Sequence, residues 1–229
     1  MLKLIASIAL PTTLCAALIV TAMPLQADNP PEISLEGLEL VEKDRRGEIY
    51  ADPQIDWSLY QRIILDHPTV AFRKHWQRDQ NRYQFNKVRD EDMERIKTGL
   101  ADLFDEVFTE ELTTNGGYVL AESAADDVMQ LTPHIVDLDI AAPDSRHTTG
   151  IQRSYTESVG RMTLKMEIYD SVTGDLIAKL SHRQEAPRRG YMQWTTSVTN
   201  NAEFRRMLQR WATGLRERLD EARQHTPAD

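Results

Sequence analysis

The sequence predicts an α+β fold: a mixed or mainly antiparallel sheet of about four to six strands, with two amphipathic helices packed on one face. Two runs carry the helical period. Met93, Ile96, Leu100, Leu103, Phe104, Val107 and Phe108 recur at three- and four-residue spacing, and so do Phe204, Met207, Leu208, Trp211, Leu215 and Leu219. A third stretch carries the strand period, because Met162, Leu164, Met166 and Ile168 alternate with Thr163, Lys165, Glu167 and Tyr169. Each helix has one greasy stripe, so each needs an apolar surface to bury it, and a half-buried sheet supplies one.

The chain opens with a positive end at Met1 and Lys3, an uncharged apolar stretch from Leu4 to Met23, and no charge after Lys3 until Asp28. That layout is a secretory signal over residues 1–27, with cleavage expected after Ala27 and a periplasmic mature chain. Pro11, Thr12 and Thr13 interrupt the run and leave Leu14 to Ala22, nearer a signal core than a membrane span; a retained anchor facing the periplasm is the competing reading. Cys15 is the one cysteine. Lipoprotein signals place an aliphatic residue three before the cysteine and a small one just before it, and here those places hold Thr12 and Leu14. Membrane contact is therefore expected only if the signal is retained or Cys15 is lipidated. Cleavage removes the thiol, which excludes disulfides, thiolate metal sites and cysteine nucleophiles. Loss of Lys3 takes the formal net charge from −9 to −10, and such an acidic surface disfavours nucleic acid as a partner.

Residues 28–34, with Pro30 and Pro31, form an extended lead-in, and 35–225 form one domain. Leu35 to Asp56 predicts irregular structure with a short strand near Glu48 to Ala51. Tyr60 to Leu65 and Val70 to Phe72 predict a strand whose Pro68 marks a bulge or an edge. Arg73 to Val88 has no clean period and reads as a loop with helical turns. A helix follows from Asp90 to Leu112, with Asp90 placed to cap its first amides and Asn115-Gly116-Gly117 to stop it. Tyr118 to Glu122 and Val128 to Ile140 read as strands. In the second, alternation places His134, Val136, Leu138 and Ile140 on the core face and Asp137 and Asp139 on the wet one. Ala141 to Tyr155 reads as a polar loop. The hairpin comes next, turning at Asp170 to Asp175, where Gly174 supplies a positive φ and Asp170 caps local amides. A long loop from about Arg183 to Thr199 leads to Asn200 and Glu203, a capping box for the last helix, which ends before Pro227.

Several of these segments together resemble a known bacterial family: Tyr169 to Asp175, Phe72-Arg73-Lys74-His75-Trp76-Gln77-Arg78, Gly116-Gly117-Tyr118, Ala141-Ala142-Pro143-Asp144 and Trp211-Ala212. In order and spacing they are similar to domain of unknown function 3313, from about Leu35 to Ala222. The resemblance implies an envelope location, often as a lipoprotein, and an α/β domain, with no established activity or catalytic residues to carry over. The surroundings of Cys15 depart from the lipoprotein start.

No catalytic constellation stands out. His67, His75, His134, His147 and His182, with Asp66, Asp137 and Asp139, show none of the short regular spacings of a zinc site. Ser158-Val159-Gly160 lacks the preceding glycine of a nucleophile elbow. Asp170 and Asp175 suit a turn better than a calcium loop, and no glycine-rich phosphate cradle occurs, so no cofactor or metal is expected. What remains is arginine interleaved with aromatics: Arg183, Arg188, Arg189, Tyr191 and Trp194 in the long loop, and Arg73, Lys74, Trp76 and Arg78 earlier. Arginine forks to carboxylates while Trp and Tyr offer rigid contact area, so these nine residues are the candidate partner-binding positions. The expectation is a non-catalytic exported protein that binds an envelope protein or cell-wall component. The alternatives are a periplasmic hydrolase using His134 with Asp137 or Asp139, and a small-ligand carrier with a pocket between helices and sheet.

Overall fold

A long central strand, Val128–Ile140, organises the protein. The computed structural model describes residues 36–82, 87–140, 154–156, 160–186, 193–195 and 197–224, with 154–156, 193–195 and 197–200 given by their backbone alone. The strands are β1 (Glu39–Lys43), β2 (Gly47–Ala51), β3 (Arg62–Leu65), β4 (Thr69–Phe72), β5 (Val119–Leu120), β6 (Val128–Ile140), β7 (Ser154–Thr156), β8 (Gly160–Asp170), β9 (Leu176–Glu185) and β10 (Gln193–Thr195). The helices are the short α1 (Trp76–Gln80), α2 (Asp90–Glu110) and α3 (Ser197–Gln224).

Eight strands form one mixed sheet in the order β1-β2-β9-β8-β6-β3-β5, with β4 following β3 along the same edge of β6. That exceeds the four to six strands expected. The excess comes from β1 and from β3 and β4 being separate strands, while the two-residue β5 lies within the strand expected at Tyr118 to Glu122. Both run parallel to β6, Arg62 to Leu65 opposite Val128 to Leu131 and Thr69 to Phe72 opposite His134 to Leu138. The break at Asp66, His67 and Pro68 meets β6 where Pro133, which lacks an N–H to donate, interrupts the ladder. Asp66 covers the gap by accepting from Gln130 Nε2 at 2.7 Å and Thr132 Oγ1 at 2.8 Å.

β6 carries the main departure from simple alternation. Four residues, Val136 to Asp139, oppose only three, Thr163 to Arg161, on β8, and Asp137 sits in the bulge at φ 52°. Before the bulge Met129, Leu131 and Ile135 are buried; after it Leu138 and Ile140 are. His134 and Val136 therefore lie on the outer face, not with Leu138 and Ile140, and Asp139 shares that outer face with them.

The core face takes both long helices in one continuous cluster. Leu100, Phe104, Val107 and Phe108 of α2 and Phe204, Met207, Leu208, Trp211, Leu215 and Leu219 of α3 pack with Met129, Leu131, Ile135, Leu164 and Met166 of the sheet. Phe104 and Phe108 stack at 3.8 Å between ring centres. Two expected caps move. Asp90 is the first residue of α2 rather than its cap, and Asp92 reaches back to accept the Arg89 N–H at 3.1 Å. α3 already begins at Ser197, so Asn200 lies inside it. The hairpin turn follows expectation: Gly174 has φ 74°, and Asp170 Oδ1 accepts from the N–H groups of Val172 and Thr173. The expected polar loop of Ala141 to Tyr155 runs into β7, which pairs antiparallel with β10 in the expected long loop.

Candidate functional site

Of the nine candidate partner-binding positions, the structure turns two to other work. Trp76 is 1% exposed, stacks on Phe72 at 4.2 Å between ring centres, and donates its Nε1–H to the Ile140 carbonyl. It is a core residue, because the αL turn at His75 aims the short α1 back onto β6. Arg73 is held by Asp79 at 2.8 Å and Asp139 at 2.9 Å, and Asp139 also meets Arg161 at 3.0 Å. Lys74 and Arg78 are exposed, Arg78 beside Asp79 at 3.1 Å. Arg188, Arg189 and Tyr191 lie outside the described residues, and Trp194 lies in β10, opposite Tyr155 of β7 in backbone register. Arg183 is exposed on β9, apart from the Arg73 group, with β8 and β6 between them.

The hydrolase pairing is not assembled. His134 Nδ1 faces Thr69 Oγ1 at 2.7 Å, Asp139 is taken by the two arginines, and Asp137 is the exposed bulge residue. Among the described residues no three His, Asp or Glu side chains stand together as metal ligands. No described helix is long and apolar enough to cross a membrane.

What sequence reasoning missed lies along one flank of α3. There α3 covers β8 and β9 but leaves the β1–β2 hairpin standing off, and a trough runs between them. Its wider part, about 520 Å³, is walled by Leu40, Ile49, Ala51, Ile55, Ala178, Leu180, Leu215, Leu219 and Ala222. Next comes a compartment of about 250 Å³ around His182 and Trp211, with Leu164, Met166, Leu180 and Leu215 as apolar wall. Arg218 of α3 and Glu42 of β1 form an ion pair and line both parts. Beyond His182 the trough ends at Arg45, Arg46, Arg183 and Arg210.

Local chemistry shapes each wall. Asp44 accepts from the N–H groups of Arg46 and Gly47, both at 2.7 Å, which fixes the β1–β2 turn and holds the Asp44 carboxyl below its usual range. Gly47 permits the close approach of β2 to β9, since a Cβ there would stand 2.0 Å from the Ser181 carbonyl oxygen. Trp211 donates Nε1–H to His182 Nδ1 at 2.8 Å, so the imidazole keeps Nδ1 as an acceptor. Burial pushes the His182 pKa down, opposed by Asp44 and Glu42 and assisted by Arg46 and Arg218. The neutral ring therefore lines the compartment at neutral pH. An apolar trough with a neutral polar middle and a cationic end is suited to holding a molecule. The available signal was small: an Arg-Arg pair before a glycine in an acidic chain, within a stretch whose hydrophobic pattern is irregular.

A model of the family described as "Protein of unknown function (DUF3313)" matches residues 33–215. No curated protein sequence matches. Among solved structures the chain is similar to a DUF330 family protein of Xanthomonas campestris, at 11% identity and a TM-score of 0.45, covering 85% of this chain and 94% of that one. It is also similar to the PelC dodecamer of Paraburkholderia phytofirmans, at 9% identity and a TM-score of 0.35 over 74% and 97% of the two chains. A minor lipoprotein of Acinetobacter baumannii aligns at 12% identity and a TM-score of 0.35 over 72% and 96%.

Proposed function

The chain belongs to the DUF3313 family of proteins of unknown function, and we propose that it is an exported, non-catalytic envelope protein that holds an apolar small molecule in the trough beside α3. The observation that carries this reading is the continuous apolar wall made by Ile49, Ala51, Leu180, Leu215 and Leu219 in a space of about 520 Å³. Pockets of a few hundred cubic ångströms with apolar walls are the usual form of small-molecule sites. Each methylene that leaves water for such a wall contributes about 0.8 kcal/mol, so a single alkyl chain suffices for binding. The positive start and apolar run of residues 1–27 support export.

Ala222 lines the trough and is only half-buried, so Ala222→Trp fills the space from a helix surface that tolerates size. Titration of the purified protein with a fluorescent long-chain alcohol is expected to show saturable binding that Ala222→Trp reduces about tenfold or more, with the thermal midpoint unchanged. Equal binding by both proteins would remove the trough from consideration.

A second reading, docking of another envelope component on the arginine and aromatic loop, draws on Arg183, which is exposed and without a carboxylate partner among the described residues. Its check is recovery of a defined partner by the wild type and its loss with Arg188, Arg189 and Trp194 changed to Ala.

A further inference from the structure

The cationic end of the trough narrows what the ligand is. Arg45 and Arg46 stand on the β1–β2 turn, Arg183 near the end of β9, and Arg210 on α3 next to Trp211. All four are exposed and border one space of about 690 Å³ with Gln184 and Glu185. Arg62, Arg73, Arg161, Arg205, Arg216 and Arg218 each hold a carboxylate partner. Among the described residues Arg45, Arg46, Arg183 and Arg210 have none within ion-pair distance, although acidic residues outnumber basic ones in the chain by 36 to 27. Arg210 instead gives its Nε–H to Gln184 Oε1 at 2.9 Å, which leaves the end of its guanidinium uncommitted. Like charges gathered in one mouth repel, and an oxyanion accepting from two or more guanidinium forks relieves that repulsion.

This mouth is continuous with the apolar wall. Arg46, Gln184 and Arg210 also border the His182 compartment, and Leu180, Leu215 and Arg218 carry that compartment into the wider trough. From Arg210 to Ala222 the path follows α3 for roughly 18 Å at the helical rise. We infer that the occupant is a single-chain lipid with an oxyanion head, its head at Arg45, Arg46, Arg183 and Arg210 and its chain along α3 toward Ala222. The inference rests on the trough being the ligand site, as proposed above, and adds the chemical class of the ligand. Charge complementarity chooses it over a neutral lipid, and the apolar length chooses it over a free anion.

The test titrates purified protein, expressed from the full-length sequence, with dodecyl phosphate, dodecanol and inorganic phosphate, each below the concentration at which it aggregates. At low ionic strength dodecyl phosphate is expected to bind about tenfold or more tighter than dodecanol, with the advantage shrinking as salt rises. The double variant Arg46→Gln, Arg183→Gln is expected to lose that advantage while keeping its affinity for dodecanol, and its unchanged thermal midpoint shows that it folds. Equal binding of dodecyl phosphate and dodecanol by the wild type overturns the head-group assignment and leaves the trough reading standing. Binding of neither overturns the trough reading itself. Inorganic phosphate binding as tightly as dodecyl phosphate overturns the lipid and leaves a bare oxyanion site.

Discussion

The two flanks of α3 differ in how their charges are spent. Toward α2 every described cation has its partner: Arg205 meets Glu106 at 2.8 Å, Arg216 meets Glu111 at 2.8 Å and Asp220 at 2.7 Å, and Arg223 lies over the Tyr118 ring at 3.8 Å while donating to the Tyr60 carbonyl. Beneath them Phe104, Phe108 and Leu112 are fully buried. Toward the β1–β2 hairpin the apolar residues border open space, and four arginines carry no carboxylate among the described residues. The same helix is thus sealed on one side and open on the other. Sealing follows where complementary groups face each other across a short gap; the open side has its stripe but lacks a matching surface.

The largest loss of stability is expected from emptying the sealed side. Phe104→Ala removes a fully buried ring from its stack and is expected to lower stability by about 3–5 kcal/mol in urea denaturation. A loss below about 1 kcal/mol would show that the α2 flank repacks freely and is not sealed. Next in size, Gly47→Ala drives a methyl into the Ser181 carbonyl and displaces the hairpin. It is expected to cost about 1–3 kcal/mol and to abolish binding in the trough, which a melt and a titration read separately.

A smaller effect comes from Glu111→Gln. Burial raises the Glu111 carboxyl, but hydrogen bonds from Arg216, Asn115 and Thr213 outweigh it and hold the pKa below the ordinary value of 4.5. A carboxyl depressed in the folded state contributes stability above its ordinary pKa and loses it as pH falls through the folded one. The thermal midpoint of Glu111→Gln should therefore lie below that of the wild type at neutral pH, and the two should converge as pH falls below 4.5. A constant gap at all pH values would assign the effect to packing.

The smallest effect belongs to His182 on the open side. Its pKa lies below the ordinary 6.5, so the unfolded chain takes up a proton that the folded one refuses. Stability from this group is complete above 6.5 and falls as pH drops toward the folded value. His182→Asn keeps an acceptor for Trp211 Nε1 and is expected to flatten that part of the pH profile, measured as the difference from wild type. Identical slopes would place the His182 ring in water-like surroundings in the folded protein.

Elements with a strong local signature were legible. The stripes of α2 and α3 are buried where their spacing says, and the turn from Asp170 to Gly174 has the bonds its residues imply. Of the four arginines at the mouth of the candidate site, Arg183 alone was a candidate position, and the expected pocket between helices and sheet came without residues. Arg45 and Arg46 lie some 140 positions from Arg183 in sequence and meet it because β2 pairs with β9, bringing Gly47 opposite His182. Trp76 misled for the complementary reason: its neighbours in sequence are charged, yet the reversal at His75 carries it into the core.

By itself the sequence determined the two helices, the β8–β9 hairpin, the signal-like start and a surface of net negative charge, because these follow from periodicity, turn chemistry and composition within short windows. Tertiary structure alone decided which face His134 occupies, since one extra residue at Asp137 inverts alternation for everything after it. It also decided that the arginines of a turn, a strand and a helix share one mouth at the end of an apolar trough. Non-local pairing sets those distances, and no local pattern encodes them.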